Sequence, residues 1–420
     1  MTVKVTVRGS YKQPGGKLVS ATVCISGAGA GADTPVIERL SFDGDFYAEW
    51  SDGRDADLSA VEAALVGLPV SLSAPQFEEI VAGALPANLT LVGVDAHGMA
   101  FAVARAAAQC GEGLGLAGSR AAGESWESTL PDRFPHNSAH PAHQIELTQE
   151  LIRARWSDLE LHIVDPEISA KEPFEPAMHM ALDDVIARRT ARGDLPPLLR
   201  FWEWASPAVI LGLNQSLRNE VDVEAARRLG IGVVRRVTGG GAMFVEPGNT
   251  ITYSLTTPLN FVSGLSAEDS YGLCESWVFD ALKAIGISAS HEPINDISSP
   301  AGKIGGAAQR RYPAHSPAPG GLLHHTTMAY DINVDTMMQV LRVNKEKLVD
   351  KPVASAAKRV DPMKSQSGMS RRAILTSFAQ FLHANVPHIT SMNLPGDVID
   401  EARALAASKF ATPEWTARIA

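Results

Sequence analysis

Cysteine is almost missing from this sequence. Cys24, Cys110 and Cys274 stand far apart and form no CxxC pair, which argues against a disulfide framework or a cysteine zinc cluster. An excess of positive charge is also lacking. Lys and Arg total 37 against 47 Asp and Glu, a balance that argues against broad nucleic-acid or membrane-surface binding but leaves room for a small basic pocket. Long hydrophobic runs are missing too. The longest, Met99 to Cys110, contains Arg105 and is too short to span a bilayer. The opening MTVKVTVRGSYKQPGG has no apolar signal core. These absences predict a soluble, cytoplasmic protein with no membrane and no nucleic-acid partner. Several motifs are absent as well. HExxH, GxSxG and EF-hand patterns do not occur. Gly302-Lys303 is followed by Ile304 where a P-loop needs Ser or Thr. Gly27-Ala-Gly-Ala-Gly31 lacks a third glycine at the offset of a dinucleotide fingerprint and precedes a strand-like run, so it reads as a turn.

The 420 residues, 45% of them hydrophobic, suit two globular domains rather than one. Residues 1–115 form one unit. Strand-period runs occur at Val3–Val7, Lys17–Ser26 and Val36–Phe42, and helical runs at Leu58–Leu65, Gln76–Ala84 and Met99–Gln109. Residues 116–147 read as a linker, because Gly, Ser, Pro, His and Asn dominate and no period is sustained. Residues 148–420 form the larger unit. Strands are expected at Leu159–Val164, Leu198–Trp204, Ala208–Gly212, Val233–Arg236, Thr250–Thr256 and Met328–Ile332. Helices are expected at Ala177–Arg189, Val223–Leu229, Glu268–Ile285, Thr336–Leu341 and Arg371–His383. Strands and helices mix without regular βαβ alternation, which predicts an α+β fold in both units.

Four segments bear on chemistry. Arg235-Arg236-Val-Thr238-Gly239-Gly240-Gly241 closes an apolar strand and runs into Ala242-Met243-Phe244. Consecutive glycines in a core element cost roughly 1 kcal/mol each against Ala, and a backbone without Cβ atoms can approach and cradle an anion. On an extended chain the two arginines point to opposite faces, so only one can turn into a pocket. A Gly-rich hairpin with surface arginines remains the competing reading. Glu246-Pro-Gly-Asn249 is a turn that would pair the strand after it with the glycine segment. Asn295-Asp296 then leads to Gly302-Lys303-Ile-Gly305-Gly306-Ala307, where a lysine sits among small residues as a compact charge; a surface lysine in a turn is the alternative. His324-His325, adjacent on a strand, reads as one packed and one exposed histidine.

Taken in order, these segments resemble the lipoate–protein ligase A family of the biotin/lipoate ligase superfamily. The resemblance runs over residues 150–420: His179-Met-Ala-Leu-Asp-Asp184, Leu199-Arg-Phe-Trp202, Val209-Ile-Leu-Gly-Leu-Asn-Gln215, the Arg-Arg and triple-glycine segment, Asn249, Asn295-Asp296, Gly302 to Gln309, Leu323 to Thr327 and Phe410 to Trp415. The front unit, with Tyr11 to Val19, Gly44-Asp-Phe46 and Leu58 to Gly67, is similar to the accessory domain of such ligases, here fused at the N-terminus. The resemblance implies a class II biotin/lipoyl-ligase-like catalytic domain with a mixed or antiparallel sheet, plus a small α+β accessory domain. It implies that lipoate attacks the α-phosphate of ATP, with Mg²⁺ bridging phosphates, and that the lipoyl group then passes to a lysine. The implied acceptors are lipoyl domains of 2-oxoacid dehydrogenase E2 subunits and the glycine cleavage H protein. Lys303 matches the catalytic lysine. Arg236, Thr238, Gly240, Gly241, Ala242, Met243, Phe244, Asn249, Asn295, Asp296, Gly305 and Ala307 match the ATP and lipoyl-adenylate site, Asp296 also as a metal ligand. The strands around Trp202, Ile210 and Leu211 are expected to line the tunnel for the acyl tail. Val245-Glu246 departs from the family's His-Asp.

Two alternatives belong to other classes. An octanoyl- or lipoyl-transferase of the same superfamily needs no ATP and uses a cysteine, for which Cys274 is the only candidate beyond residue 150. It falls inside an expected helix, where a packed thiol is the simpler reading. A non-catalytic lipoate-binding protein would have less need of Lys303.

Overall fold

The computed structural model describes residues 4–27, 34–50, 57–113, 145–169, 171, 173–292, 294–342 and 360–419. The expected turn at 27–33 and most of the expected linker lie outside them. In chain order the first elements are β1 (Lys4–Lys12), β2 (Leu18–Ser26), β3 (Val36–Gly44), β4 (Tyr47–Trp50), α1 (Ser59–Leu65), α2 (Ala74–Ala84), β5 (Leu89–Val92) and α3 (Ala96–Gly113). The chain divides into two compact units: Met1–Phe46 with Asp57–Gln144, and Tyr47–Ala56 with Ile145–Ala420.

In the front unit β1, β2 and β3 form an antiparallel sheet, and α3 packs on it. The approach is close. A Cβ on Gly9 would stand 2.2 Å from the Ala102 carbonyl oxygen, so only glycine lets this helix lie against β1.

The second unit contains α4 (Gln149–Ser157), β6 (Leu161–Val164), α5 (Pro166–Ser169), α6 (Pro176–Arg192), β7 (Leu198–Trp202), β8 (Ala208–Leu211), α7 (Leu217–Glu220), α8 (Val223–Arg228), β9 (Gly232–Arg235), β10 (Met243–Val245), β11 (Thr250–Pro258) and α9 (Ala267–Ala284). It continues with β12 (Ser290–Glu292), β13 (Asp296–Ser299), β14 (Gly302–Tyr312), β15 (Gly321–Ala329), α10 (Val334–Val340), α11 (Met363–Ser367), α12 (Arg371–Asn385), β16 (Ile389–Ser391), α13 (Gly396–Leu405) and α14 (Pro413–Thr416). Eight strands make one sheet in the order β12-β13-β14-β15-β11-β7-β6-β16, antiparallel except where β6 meets β7 and β16. A second sheet has the order β10-β8-β9. The mixed, largely antiparallel arrangement bears out the α+β expectation.

One face of the large sheet packs on α9 and α12 through Tyr253, Leu255, Trp277, Phe378 and Leu382. Residues of α6 share a core with both sheets, through Leu198, Trp202 and Leu323 on one and Ile210, Val234 and Val245 on the other. Helix α6 is therefore central, buried along most of its length although its sequence is rich in polar residues. Asp183, Asp184 and His179 are each at most 1% exposed. A helix buried all round is normally apolar; this one carries paired polar groups instead.

The strand expected at Met328–Ile332 is β15, Gly321–Ala329. It lies between β14 and β11 and is buried on both faces, so it has no period of two, and its histidines and threonines hid it. His324 and His325 are both buried, at 0% and 6% exposure. The glycine segment does not pair with the strand after the Pro-Gly turn. That strand, β11, pairs with β15 and β7, while β10 pairs with β8. The turn carries the chain from one sheet to the other. Ile210 shares a core with Trp202, but Leu211 points to the opposite face, toward Val209, Val221 and Phe244, and cannot line the same wall.

Arg235 is completely buried. Its guanidinium donates to the carbonyls of Gly212 (2.8 Å), Gln215 (2.6 Å) and Thr416 (2.8 Å), and Trp415 Nε1 donates back to the Arg235 carbonyl at 2.9 Å. This stitches the C-terminal segment to β9. Arg235→Met leaves several buried carbonyls unpaired and is expected to cost about 3 kcal/mol or more. A urea midpoint unchanged from the parent would refute that assignment.

Candidate active site

The glycine loop begins where β9 ends. The two arginines lie on opposite sides of the chain and only Arg236 turns toward the loop, as expected; both are buried, so the reading of surface arginines does not hold. Arg235 faces the C-terminal segment. Arg236, 3% exposed, faces the loop: its guanidinium donates to the carbonyls of Gly239 (2.6 Å) and Gly241 (2.9 Å) and of Ile210 (3.1 Å). Leu213 N donates to the Thr238 carbonyl at 2.8 Å. The carbonyl edge of the loop is thus tied inward. Gly240 has φ +90°, a conformation open to glycine and strained for other residues. Gly212 is required for a different reason, since a Cβ there would stand 1.9 Å from the Gly240 carbonyl oxygen.

Lys303 lies on β14 beside a bulge. Gly306 faces Asp296 and Gly305 faces Ile297, but Ser298 faces Lys303, so Ile304 is an extra residue. In a regular strand residues 303 and 306 point to opposite faces; the extra residue brings them to one side. The ammonium consequently reaches over Gly306, 3.1 Å from where a Cβ would stand, and donates to Asp296 Oδ1 at 2.7 Å. Lys303 keeps 47% of its side chain exposed. Asn295, 6% exposed, accepts from Ala307 N through its carbonyl at 2.9 Å, and its amide donates to the Tyr47 hydroxyl at 2.9 Å. That hydroxyl also stands 3.0 Å from the Cβ position of Gly240. Tyr47 therefore marks the place where the glycine loop and the Asn295–Lys303 hairpin come together. It was not singled out in the sequence, because nothing local distinguishes it.

The remaining expected site residues lie on β10, on β14 and in the segments beside β10 and β11. Phe244 is 3% exposed and packs with Val209 and Leu211. The Asn249 carbonyl accepts from Tyr330 N and Asp331 N, and its amide donates to Glu246 at 3.3 Å. A Cβ on Gly305 would stand 2.5 Å from the Thr327 carbonyl oxygen, so strand pairing alone accounts for that glycine. Ala307 is 5% exposed on β14, Met243 is half-buried on β10, and Ala242 joins the loop to β10. Val245, at the position where the resemblance expects histidine, is completely buried among apolar neighbours.

Cys274 is completely buried in the core around Trp277 and Tyr253. Burial, with Glu275 beside it, pushes its thiol well above the ordinary range. A nucleophilic cysteine needs a lowered pKa and access; this one has neither. Among the described residues no three His, Cys, Asp or Glu side chains group as a metal site. No described helix is long and apolar enough to cross a membrane.

Residues 175–383 match the family model of the lipoyl protein ligase A/B catalytic domain. Lipoate-protein ligase A subunit 1 of Thermoplasma acidophilum is 29% identical over 256 residues, 58% of this chain and 92% of that protein. Octanoyltransferase LipM of Brevibacillus brevis is 24% identical over 274 residues, 59% of this chain and 96% of that protein. Among solved structures, a bipartite lipoate protein ligase of Thermoplasma acidophilum, described with its E2 lipoyl domain, matches at TM-score 0.51 and 26% identity, covering 62% of this chain and 96% of that one. A lipoate-protein ligase A bound with ATP matches in fold at TM-score 0.50 and 23% identity, covering 62% of this chain and 98% of that one.

Two outcomes follow from this geometry. Gly212→Ala overpacks the loop against β8 and is expected to cost about 1–3 kcal/mol; unchanged urea stability would show that the loop moves freely. His179 and His324 are completely buried, and burial lowers both to about 3 from 6.5. Between these values the unfolded chain binds more protons, so their contribution is full above pH 6.5 and is lost as pH falls toward 3. Each contributes a slope of up to about 1.4 kcal/mol per pH unit in that window. A urea midpoint flat from pH 7 to pH 4.5 would contradict this.

Proposed function

Residues 175–383 make this chain a member of the lipoyl protein ligase A/B catalytic-domain family, and on that premise we propose that it is an ATP-dependent lipoate–protein ligase. Relatives of this family divide between ligases and octanoyltransferases. The observation that favours the ligase is the position of Cys274, the single cysteine after residue 110, sealed in the core with its thiol protonated. A cysteine-dependent transferase would have no accessible nucleophile in this unit.

In the proposed reaction a lipoate carboxylate oxygen attacks the α-phosphorus of ATP. A P–O bond forms, and pyrophosphate leaves with the electrons of the bond that breaks. The product, lipoyl-AMP, is a mixed anhydride. The amine of a lysine on a lipoyl domain then attacks its carbonyl carbon, AMP departs, and the amine proton goes to solvent. Lys303 supplies a positive charge at the phosphate and carbonyl oxygens in both steps. Its pairing with Asp296 and its partial exposure support this role, because the ammonium is held in place and reachable. The amide edge of the glycine loop is the proposed phosphate cradle. Arg236 acts on the nucleotide by holding that loop. A Mg²⁺ ion would take Asp296 as its protein ligand and complete its shell with phosphate oxygens and water.

A lipoyl domain as acceptor is supported by the one described with the Thermoplasma ligase; a glycine cleavage H protein would be recognised through the same lipoyl-domain chemistry. The front unit is proposed as the accessory domain, and the catalytic domain as the segment from about residue 148 onward.

The test uses the full chain with apo lipoyl domain, lipoate and Mg²⁺, with and without ATP, read by mass spectrometry of the acceptor. Lipoylation that requires ATP, falls roughly 10²-fold or more in Lys303→Ala and survives in Cys274→Ala supports the ligase. Transfer of octanoate from acyl-carrier protein without ATP, lost in Cys274→Ala, overturns it.

A further inference from the structure

Asp183 and Arg200 are 1% and 2% exposed. Removing two such charges from water costs several kcal/mol, and apolar residues of similar size would often serve stability as well. The pair is explained by where its hydrogen bonds lead. Arg200 donates to Asp183 Oδ1 at 2.7 Å. His325 Nδ1 contacts Asp183 Oδ2 at 2.8 Å, and His325 Nε2 contacts Thr238 Oγ at 2.8 Å. Arg236 Nε donates to the same Thr238 oxygen at 2.9 Å, and its terminal nitrogen donates to the Gly239 and Gly241 carbonyls.

With a neutral His325 ring, the direction of every bond follows from chemistry. A carboxylate only accepts and a guanidinium only donates. His325 must therefore carry its proton on Nδ1. Its Nε2 accepts from the Thr238 hydroxyl, and the Thr238 oxygen accepts from Arg236. The far end is equally determined. Arg200 donates to His179 Nδ1 at 3.1 Å, and His179 Nε2 donates to the Glu203 carbonyl at 2.8 Å. Burial raises the Asp183 carboxyl, but His325 and Arg200 outweigh it, so it stays ionised below the usual range. The chain of bonds links α6, β7, β15 and the glycine loop. Its order matches a Ser-His-Asp triad. Thr238, however, is 1% exposed and engaged on both sides, so it latches the loop and does not act as a nucleophile.

We propose that Asp183, His325 and Thr238 form a positioning relay that holds the glycine loop in the shape that binds the acyl-adenylate. The proposal rests on the reading that this loop binds the adenylate, and it adds three positioning residues. Breaking the relay removes the bond that fixes Arg236 Nε and leaves its guanidinium held only by carbonyls, so the loop edge loosens and the phosphate side is less well preorganised. Thr238→Val keeps the shape and removes the hydroxyl; Thr238→Ser keeps the hydroxyl.

The test measures lipoyl-AMP formation by the full chain over a range of ATP concentrations. Thr238→Val is expected to raise KM for ATP roughly ten- to a hundredfold, while Thr238→Ser stays within about threefold of the parent. A second readout does not depend on activity. Nitrogen-15 NMR of histidine-labelled protein should show His325 as the neutral Nδ1–H tautomer, and Asp183→Asn should shift that signal. An unchanged KM in Thr238→Val, or an Nε2–H tautomer in the parent, overturns the relay. A parent that forms no lipoyl-AMP yet shows the Nδ1–H tautomer and its Asp183→Asn shift keeps the relay and sinks the ligase.

Discussion

A carboxylate with almost no access to water sits on the central helix of the larger unit, and the strands around it are arranged to neutralise it. Asp183 takes one bond from Arg200 on β7 and one from His325 on β15. Both partners are therefore fixed against α6, and with them the large sheet. Through Thr238 the same carboxylate reaches the loop that follows the small sheet. An unpaired charge in this position would cost more than most single contacts return, so sheet, helix and loop are interdependent. The polar character of α6 is thus a constraint on assembly as well as on the site.

The second constraint is local to β14. A regular strand would turn Lys303 away from Gly306, and one extra residue reverses that. The missing side chain at 306 leaves the space that the lysine occupies. A small-residue run with a lysine is ambiguous as a string of letters; with the bulge it becomes a charge held against a carboxylate of the neighbouring strand. Cys274 illustrates the opposite case. Its sequence context allowed a nucleophile, and its burial removes the conditions for one.

Most secondary structure was legible because amphipathic periods were present. The helices at Glu268–Ile285 and Arg371–His383 and the strand at Thr250–Thr256 agree with α9, α12 and β11 to within a few residues. Elements buried on both faces were harder to read, as β15 shows: Leu-Leu-His-His-Thr-Thr has no alternation to read. The site was partly legible. Lys303, Arg236 and the glycines were marked by unusual composition. Asp183 and Arg200 were not, and His325 was noticed only as one of a histidine pair; each acquires its meaning from partners 17 to 142 positions away. Tyr47, 248 positions from Asn295, had no signal at all.

Activation is proposed to occur at the Lys303 and glycine-loop site without an acceptor. Isotope exchange between labelled pyrophosphate and ATP measures that step alone. Exchange is expected to depend on lipoate, to need no lipoyl domain and to disappear in Lys303→Ala. Lipoate-dependent exchange that persists in Lys303→Ala, or no exchange in a protein that still acylates its acceptor, would contradict it.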